Sequence, residues 1–228
     1  MKEIKLFGLQ RTGTNFFRVA MESNFDVTVL MNDRGWKHGH LSIADIDIPI
    51  VVLVKNPYAW LSSMYRYMSS HGAQKNLRPD SFSDFIRSEF TMNCDISIGS
   101  PPNDQKKVSF QILSKNPVVH WNSFYWHWKS VGGVDVQQLK YEDLLDDPKN
   151  HLSAIANRCG LSSKANFSIP DRETRPSQDG WKHKLGDKFT KKNYYLKDEY
   201  MSEFEESDKQ FIEQELNGSL MEEYGYGQ

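Results

Sequence analysis

Two glycines near the amino terminus frame a segment suited to binding an anion. Gly8 and Gly13 occupy the ends of a G-x-x-x-x-G pattern, and Arg11 lies between them. In such loops the backbone N–H groups point inward, and the helix that follows adds positive potential at its start. A metal-dependent phosphate loop would continue with Lys and then Ser or Thr, whereas this chain continues with Thr14 and Asn15. The segment Gly8–Asn15, called the anion loop below, is therefore predicted to bind a tetrahedral anion without a metal ion, using Arg11 as its cation.

A second set of candidate catalytic residues comprises Lys37, His38 and His40. Histidine, with an ordinary pKa of about 6.5, suits a base that takes a proton from an acceptor hydroxyl at neutral pH. In an extended segment His38 and His40 point to the same face, so periodicity does not choose between them. We expect His38 to be the base, with His40 as the close alternative. The same alternation sends Lys37 to the opposite face unless the backbone turns there.

Further candidate residues lie just past two apolar segments. Lys55 directly follows the β-branched run at 48–54, and Ser63 lies eight residues beyond it. Because Pro57 is suited to the first turn of a helix, Lys55 and Ser63 can reach one anion only if the start of that helix folds over it. Tyr141 follows another predicted strand.

The elements that must position these residues alternate between strands and helices. Strands are predicted at residues 3–9, 27–30, 48–54 and 134–139, and helices begin at Thr14, Pro57, Ser81, Pro117 and Pro148. The helix from Ser81 is predicted to run through Phe90, residues 95–107 to form a loop, 162–193 to be irregular and 196–217 to be helical. This alternation indicates an α/β fold with a parallel sheet, in which ligands bind beyond the carboxyl ends of the strands.

Composition narrows the classes of function. Apolar residues make up 38% of the chain and charged residues 25%, and the formal net charge is -2, so no global basic field favours nucleic acid. The two cysteines show no pairing pattern, which favours reduced thiols. Because the chain enters a strand at once, we expect no signal peptide or transmembrane segment and a cytoplasmic address.

A family resemblance rests on the anion loop and the residue after it. Gln10-Arg11-Thr12-Gly13-Thr14-Asn15-Phe16 resembles the 5′-phosphosulfate loop of the sulfotransferase family, usually Pro-Lys-Ser-Gly-Thr-Thr-Trp. The resemblance implies that Arg11, Thr14 and Asn15 bind the 5′-phosphosulfate of 3′-phosphoadenosine 5′-phosphosulfate (PAPS), with Phe16 near the adenine. Gln10, Thr12 and Gly13 complete the implied cofactor-binding loop. The chain departs from the pattern with Arg for Lys and Asn for the second Thr, and both replacements are hydrogen-bond donors.

Two later segments are similar to the same family and stand in its order. Residues 54–63 resemble the 3′-phosphate segment Arg-Asn-Pro-x-Asp-x-x-x-Ser, with Lys55 in the Arg place and Ser63 in the Ser place. Residues 139–148 are similar to its Tyr-Glu-Asp-Leu-x-x-Asp-Pro stretch, which implies contact of Tyr141 with the adenine. Together the matches cover residues 3–160.

Two weaker likenesses concern the base and the C-terminal loop. The family commonly has Lys-Thr-His-Leu-Pro or a Lys-Glu pair between its nucleotide motifs; His40 before Leu41 matches the first, and His38 after Lys37 matches the second. Lys37 is implied to contact the bridging oxygen. The family often closes a basic loop over the 3′-phosphate, and Lys182 and Lys188 are the candidates for that role here.

The resemblance implies a three-layer, P-loop-like fold with a central parallel sheet flanked by helices. It predicts one sulfotransferase domain over 1–228, with a nucleotide-binding core at 1–160 and a C-terminal loop and helical segment at 161–228. The implied reaction moves a sulfuryl group from PAPS, leaving 3′-phosphoadenosine 5′-phosphate (PAP), to a hydroxyl or amine of a small molecule, saccharide or lipid, without a metal ion. Two alternatives stay open: an ATP-dependent small-molecule kinase, and a non-catalytic module that binds a nucleotide or another anion.

Overall fold

The computed structural model describes residues 1–39, 47–70, 79–98, 106–131, 135–176 and 183–227. They fall into two compact units, each built from two stretches of chain. The first unit comprises Met1–Val54 and Gly132–Asp198, and the second comprises Lys55–Val131 and Glu199–Gln228. The single domain over 1–228 stays a prediction.

The described residues form strands and helices with the following bounds. The strands are β1 (Lys2–Gly8), β2 (Val27–Leu30), β3 (Ile50–Val54), β4 (Phe90–Ile98), β5 (Lys106–Ser114), β6 (Val136–Lys140), β7 (Arg172–Pro176) and β8 (His183–Lys188). The helices are α1 (Thr14–Asn24), α2 (Pro57–Ser70), α3 (Phe82–Arg87), α4 (Pro117–Ser130), α5 (Tyr141–Asp146), α6 (Pro148–Arg158), α7 (Lys192–Leu196), α8 (Glu206–Glu215) and α9 (Gly218–Glu223), with a 3₁₀ turn at Glu199–Glu203.

A four-stranded parallel sheet organises the first unit. Its strand order is β2-β1-β3-β6, and all three pairings are parallel. Every residue of β3 is buried, as expected for a β-branched run lying between two neighbouring strands. The α/β prediction is confirmed, because the central parallel sheet is flanked by helices.

Alternation along β1 separates its side chains onto two faces of the sheet. Ile4 and Leu6 join a buried cluster with Phe17 and Met21 of α1 and with Leu152 of α6. The residues that alternate with them along the strand, Lys5 and Phe7, are buried as well. The strand is thus covered on both faces, and its last residue, Gly8, begins the anion loop.

An antiparallel hairpin and several helices make up the second unit. Strand β4 pairs with β5 from Phe90 opposite Ser114 to Ile98 opposite Lys106. Helix α4 begins after Asn116, whose side chain accepts a hydrogen bond from the N–H of Val119 at 2.8 Å. The aromatic residues of α4 that face inward are fully or almost fully buried: Trp121, Phe124, Tyr125 and Trp128.

Four predictions of local structure were wrong in part. The helix after Ser81 ends at Arg87 rather than Phe90, and the loop predicted over 95–107 is strand at 95–98 and 106–107. The glycine and prolines that favoured the loop lie within 99–105, outside the described residues, whereas cross-strand hydrogen bonds decide the flanks. The irregular stretch at 162–193 contains the β7–β8 hairpin, and the tail predicted to be helical over 196–217 consists of the 3₁₀ turn followed by α8.

Among the described residues, none of the helices combines the length and the apolar character that crossing a bilayer would require.

Candidate functional site

The anion loop leaves the sheet at Gly8 and takes a tight path into α1. Arg11 has φ 69° and Gly13 has φ 85°, so two of its residues are in the left-handed region. Thr12 between them is buried, and its Oγ1 donates a hydrogen bond to the carbonyl of Leu9 at 2.7 Å. A Cβ at Gly8 would lie 2.8 Å from Thr12 Oγ1 and 3.1 Å from Leu53 O, so only glycine fits there without a shift.

The start of α1 is suited to an external anion. Its N-cap residue is Gly13, which has no side chain to cap the helix. Residues Ser81, Asn116, Asp147 and Asn217 cap α3, α4, α6 and α9, whereas α5, α7 and α8 resemble α1 in lacking a cap from the N-cap side chain. What sets α1 apart is that a glycine-framed turn with two left-handed residues leads into the positive end of its dipole, the geometry of an anion-binding loop. Arg11, a residue of this turn, is exposed.

The aromatic ring of Tyr141 packs against Gly13. A Cβ at Gly13 would lie 2.5 Å from Tyr141 Cε2, so the aromatic ring packs directly on the loop backbone. Tyr141 is 7% exposed, and its ring makes an edge contact with that of Tyr195, with centroids 5.3 Å apart. The ring of Tyr141, a residue distant in sequence, therefore packs against the loop backbone and helps to hold it in place.

The segment with Lys37 and His38 forms a turn, which is the condition under which Lys37 is not sent to the face opposite His38. The N–H of Gly39 donates to Trp36 O at 2.9 Å, and the N–H of Gly8 donates to Lys37 O at 2.9 Å. Because the backbone turns at Trp36–Gly39, consecutive side chains are freed from strict alternation. Both candidates consequently reach the anion loop.

His38 and Lys37 contact opposite ends of the anion loop. The Nδ1 of His38 is 2.5 Å from Gly8 O; because a carbonyl only accepts, Nδ1 carries the proton and Nε2 keeps its lone pair. The Nζ of Lys37 donates to Asn15 Oδ1 at 3.0 Å. The sequence prediction left His38 and His40 as alternatives, and His40 lies outside the described residues.

Burial lowers the pKa values of both His38 and Lys37. It lowers the pKa of His38 well below its ordinary value, and the neighbouring charge of Lys37 lowers it further, while the hydrogen bond to Gly8 raises it. Burial, followed by the charge of Arg18, lowers the pKa of Lys37 to about 8. His38 is thus a neutral imidazole at pH 7, with Nε2 able to accept a proton.

Lys55 and Ser63 meet within the second unit. The Nζ of Lys55 donates to Ser63 Oγ at 3.0 Å, and both residues are buried. The indole N–H of Trp121 donates to Lys55 O at 3.0 Å, which holds the backbone at this point. Asn56, the next residue, accepts at Oδ1 from the N–H of Tyr58 and so caps the first turn of α2. The two residues therefore lie close enough to contact one small anion.

The remaining candidates have varied surroundings. Gln10, Asn15 and Phe16 are half-buried, and Phe16 also packs against the apolar cluster of the first unit. Thr14 is buried as the first residue of α1, and Lys188 is exposed at the end of β8. Lys182 lies outside the described residues.

Lys5 is a residue of this region that sequence reasoning missed. It is fully buried in β1, and its Nζ donates to the carbonyls of Met31 and Gly35. The available signal was a single charge within the apolar run Ile4-Lys5-Leu6-Phe7. Within the described ranges, no three His, Cys, Asp or Glu residues are grouped so as to hold a metal ion.

Comparison with known proteins shows the fold. No family model matches the chain, and no curated protein matches its sequence. The structure is similar to the crystal structure of the mouse sulfotransferase SULT7A1 complexed with PAP, with a TM-score of 0.60 and 12% identity. The likeness covers 99% of this chain and 88% of that one. The fold is therefore P-loop-like, of the kind found in a sulfotransferase.

Gly13→Ala should destabilise the protein, because the new Cβ meets the Tyr141 ring and the positive φ disfavours alanine. We expect the free energy of unfolding in urea to fall by about 2 kcal/mol or more. Gly218→Ala is the matched control, since nothing lies within 4 Å of its Cβ, and it should change stability by less than about 0.5 kcal/mol. Equal effects of the two substitutions would contradict this packing.

Stability should depend on pH through His38. Because the pKa of His38 is lower in the folded than in the unfolded protein, the unfolded chain takes up a proton at His38 at a higher pH than the folded one. The stabilisation contributed by neutral His38 is therefore fully present above about pH 6.5 and is lost as pH falls from there through the pKa of the folded state. Urea unfolding at about pH 7.5 and about pH 5.5 should show a smaller loss of stability in His38→Asn than in the wild type. His151→Asn, a change on α6, should retain the wild-type loss; an identical loss in His38→Asn would contradict the assignment.

Proposed function

We propose that this protein is a sulfotransferase that transfers a sulfuryl group from PAPS to a hydroxyl or amine acceptor. One observation carries the proposal: the turn with His38 and Lys37 is hydrogen-bonded to both ends of the anion loop, whose helix begins after Gly13, a residue with no side chain to cap it. An anion cradle and a neutral imidazole are thereby held side by side. The fold, shared with a PAP-bound sulfotransferase, is consistent with this reading.

The anion loop is proposed to bind the 5′-phosphosulfate. The N–H groups at the start of α1 lie at the positive end of the helix dipole and Arg11 is exposed, so both are suited to donate to the oxygens of a tetrahedral anion. Thr14 and Asn15 would add side-chain donors, while Gln10, Thr12 and Gly13 shape the turn. Phe16 and Tyr141 are the proposed residues on the adenine side.

Lys55 and Ser63 are the residues proposed to bind the 3′-phosphate. Lys55 and Ser63 share a hydrogen bond and can both redirect their donors to one anion. Lys in place of Arg gives a single point charge instead of a two-pronged contact, so we expect weaker binding at this subsite. Lys182 and Lys188 are the proposed residues of a closing basic loop.

The residues near the anion loop are proposed to have two roles in the reaction, acceptance of a proton and stabilisation of negative charge. When bound, PAPS supplies the sulfuryl group and leaves as PAP. His38 accepts the proton of the acceptor hydroxyl at Nε2, because its Nδ1 proton is held by Gly8 O. Lys37 and Arg11, with the N–H groups of α1, stabilise the negative charge that develops on the leaving phosphate. The hydrogen bond between Lys37 and Asn15 positions that cation over the loop.

Nucleotide preference tests the donor. The positions after Gly13 hold Thr14 and Asn15 rather than the Lys and hydroxyl residue that grip ATP·Mg²⁺. We therefore expect PAP to bind at least about tenfold more tightly than ATP·Mg²⁺ in isothermal titration calorimetry. Lys55→Met should weaken binding of PAP but not of adenosine 5′-phosphate. Tighter binding of ATP·Mg²⁺ would favour the kinase alternative and end this proposal.

Transfer of labelled sulfate tests the base. His38→Asn keeps a donor near the Nδ1 position for Gly8 O but has no group that can accept the proton at Nε2. With ³⁵S-labelled PAPS and a panel of phenols, saccharides and hydroxylated lipids, kcat should fall by about 100-fold or more while affinity for PAP is retained. His151→Asn is the control. Nucleotide binding with no transfer to any acceptor by the wild type would favour the non-catalytic alternative, and full activity of His38→Asn would place the base at His40 or elsewhere.

A further inference from the structure

A lysine is buried in the middle of the parallel sheet. Lys5 lies in β1, between β2 and β3, and its side chain is 0% exposed. An ammonium in this position is unfavourable unless its N–H groups have partners, and most sheets place an apolar residue there. Burial of Lys5 therefore depends on the partners of its N–H groups, and those partners indicate what the residue holds in place.

The Lys5 ammonium is bound by one turn of the chain. Its Nζ donates to Met31 O at 2.9 Å and to Gly35 O at 2.6 Å, and it lies 4.8 Å from the centroid of the Phe7 ring. The two carbonyls mark the ends of the Met31–Gly35 turn. This turn includes two left-handed residues, Arg34 with φ 57° and Gly35 with φ 109°. Two bonds from one ammonium to both ends hold that turn closed against β1.

The Met31–Gly35 turn leads directly into the Trp36–Gly39 turn. Gly35 is three residues before His38, and Lys37 O accepts a hydrogen bond from the N–H of Gly8. Strand β1 therefore binds the connecting segment at two places, through the Lys5 side chain before the candidate base and through the Gly8 backbone beside it. Loss of the first contact leaves His38 held only from one side by β1.

We propose that Lys5 is a positioning residue for His38: by binding Met31 O and Gly35 O, it fixes the Met31–Gly35 turn and thereby the placement of Lys37 and His38 at the anion loop. This inference rests on the proposed function, in which His38 is the base. Lys5 touches neither donor nor acceptor, and it acts through the backbone of the turn.

The charge of Lys5 affects the pKa of His38, which gives a measurable effect of removing Lys5. Burial lowers the pKa of Lys5 to about 7, with the carboxylate of Asp33 acting in the opposite direction and the charge of Lys37 in the same one. The positive charge of Lys5 in turn lowers the pKa of His38. On the turn itself, Arg34 is paired with Asp47 and Glu3. Removal of Lys5 should therefore raise the pKa of His38, which a purely stabilising contact elsewhere would not do.

The test is Lys5→Met, with Lys2→Met as the matched control. Both lysines lie in β1 and donate to two backbone carbonyls, but Lys2 binds Cys159 O and Gly160 O at the end of α6. Methionine fills a similar volume, and apolar replacement of a buried charge is often tolerated, so the variant should fold. The readouts are kcat and KM for labelled sulfate transfer per folded molecule, and the pKa of His38 from an NMR titration.

For Lys5→Met we expect kcat to fall by about tenfold or more, KM for PAPS to change by less than about threefold, and the pKa of His38 to rise. Lys2→Met should leave all three unchanged. Lys5→Gln, which keeps amide N–H donors without the charge, provides a second variant and should lose less kcat than Lys5→Met. Wild-type kcat together with an unchanged His38 pKa in Lys5→Met would overturn the inference. If the wild type binds no PAP, the proposed function fails, but the backbone amide signals of residues 36–39 in the same NMR spectra still decide whether Lys5 fixes the turn: they should shift in Lys5→Met and not in Lys2→Met.

Discussion

The pair of hydrogen bonds between Gly8 and the Trp36–Gly39 turn is the contact on which the candidate site depends. Gly8 donates its N–H to Lys37 O and accepts from His38 Nδ1 at its own carbonyl. One residue thus ends β1, begins the anion loop and fixes both the position and the tautomer of the candidate base. The absence of a side chain at Gly8 makes this possible, because Leu53 and Thr12 occupy the space around it. The chemistry proposed for His38 is therefore linked to the geometry of the sheet itself.

Unfavourable local features are concentrated around that contact. The anion loop contains Arg11 and Gly13 at positive φ, and the preceding turn to His38 contains Arg34 and Gly35 at positive φ. Lys5 is fully buried, and burial lowers the pKa values of both Lys5 and His38. Such features persist only where the surrounding structure determines them, and they are typical of functional sites. Here the surrounding structure is the parallel sheet, whose strand β3 is buried throughout.

The placement of cations in this site differs from that of a metal-dependent phosphate loop. The position that would hold the loop lysine holds Thr14, and a lysine from elsewhere, Lys37, reaches the same end of the loop through Asn15. Arg11 supplies a second cation from within the loop, exposed to solvent. Positive charge is thus present at the loop without a lysine in the motif position. Part of that charge lies on a turn that also holds His38, whose pKa is lowered by burial.

Sequence alone determined the parts that depend on local preference and burial. The periodic apolar runs of β1, β3 and α1 predicted the α/β fold, and the glycines predicted the tight anion loop between β1 and α1. The β4–β5 strand ends escaped prediction because pairing with a partner strand overrides a local loop signal. The contacts of Lys37 with Asn15 and of Tyr141 with Gly13 were decided only by tertiary structure. The physical reason is that Lys37 and Asn15 are 22 residues apart in sequence. The turn that carries Lys37 is held against β1 by the backbone hydrogen bond from the N–H of Gly8 to Lys37 O, which no local pattern encodes.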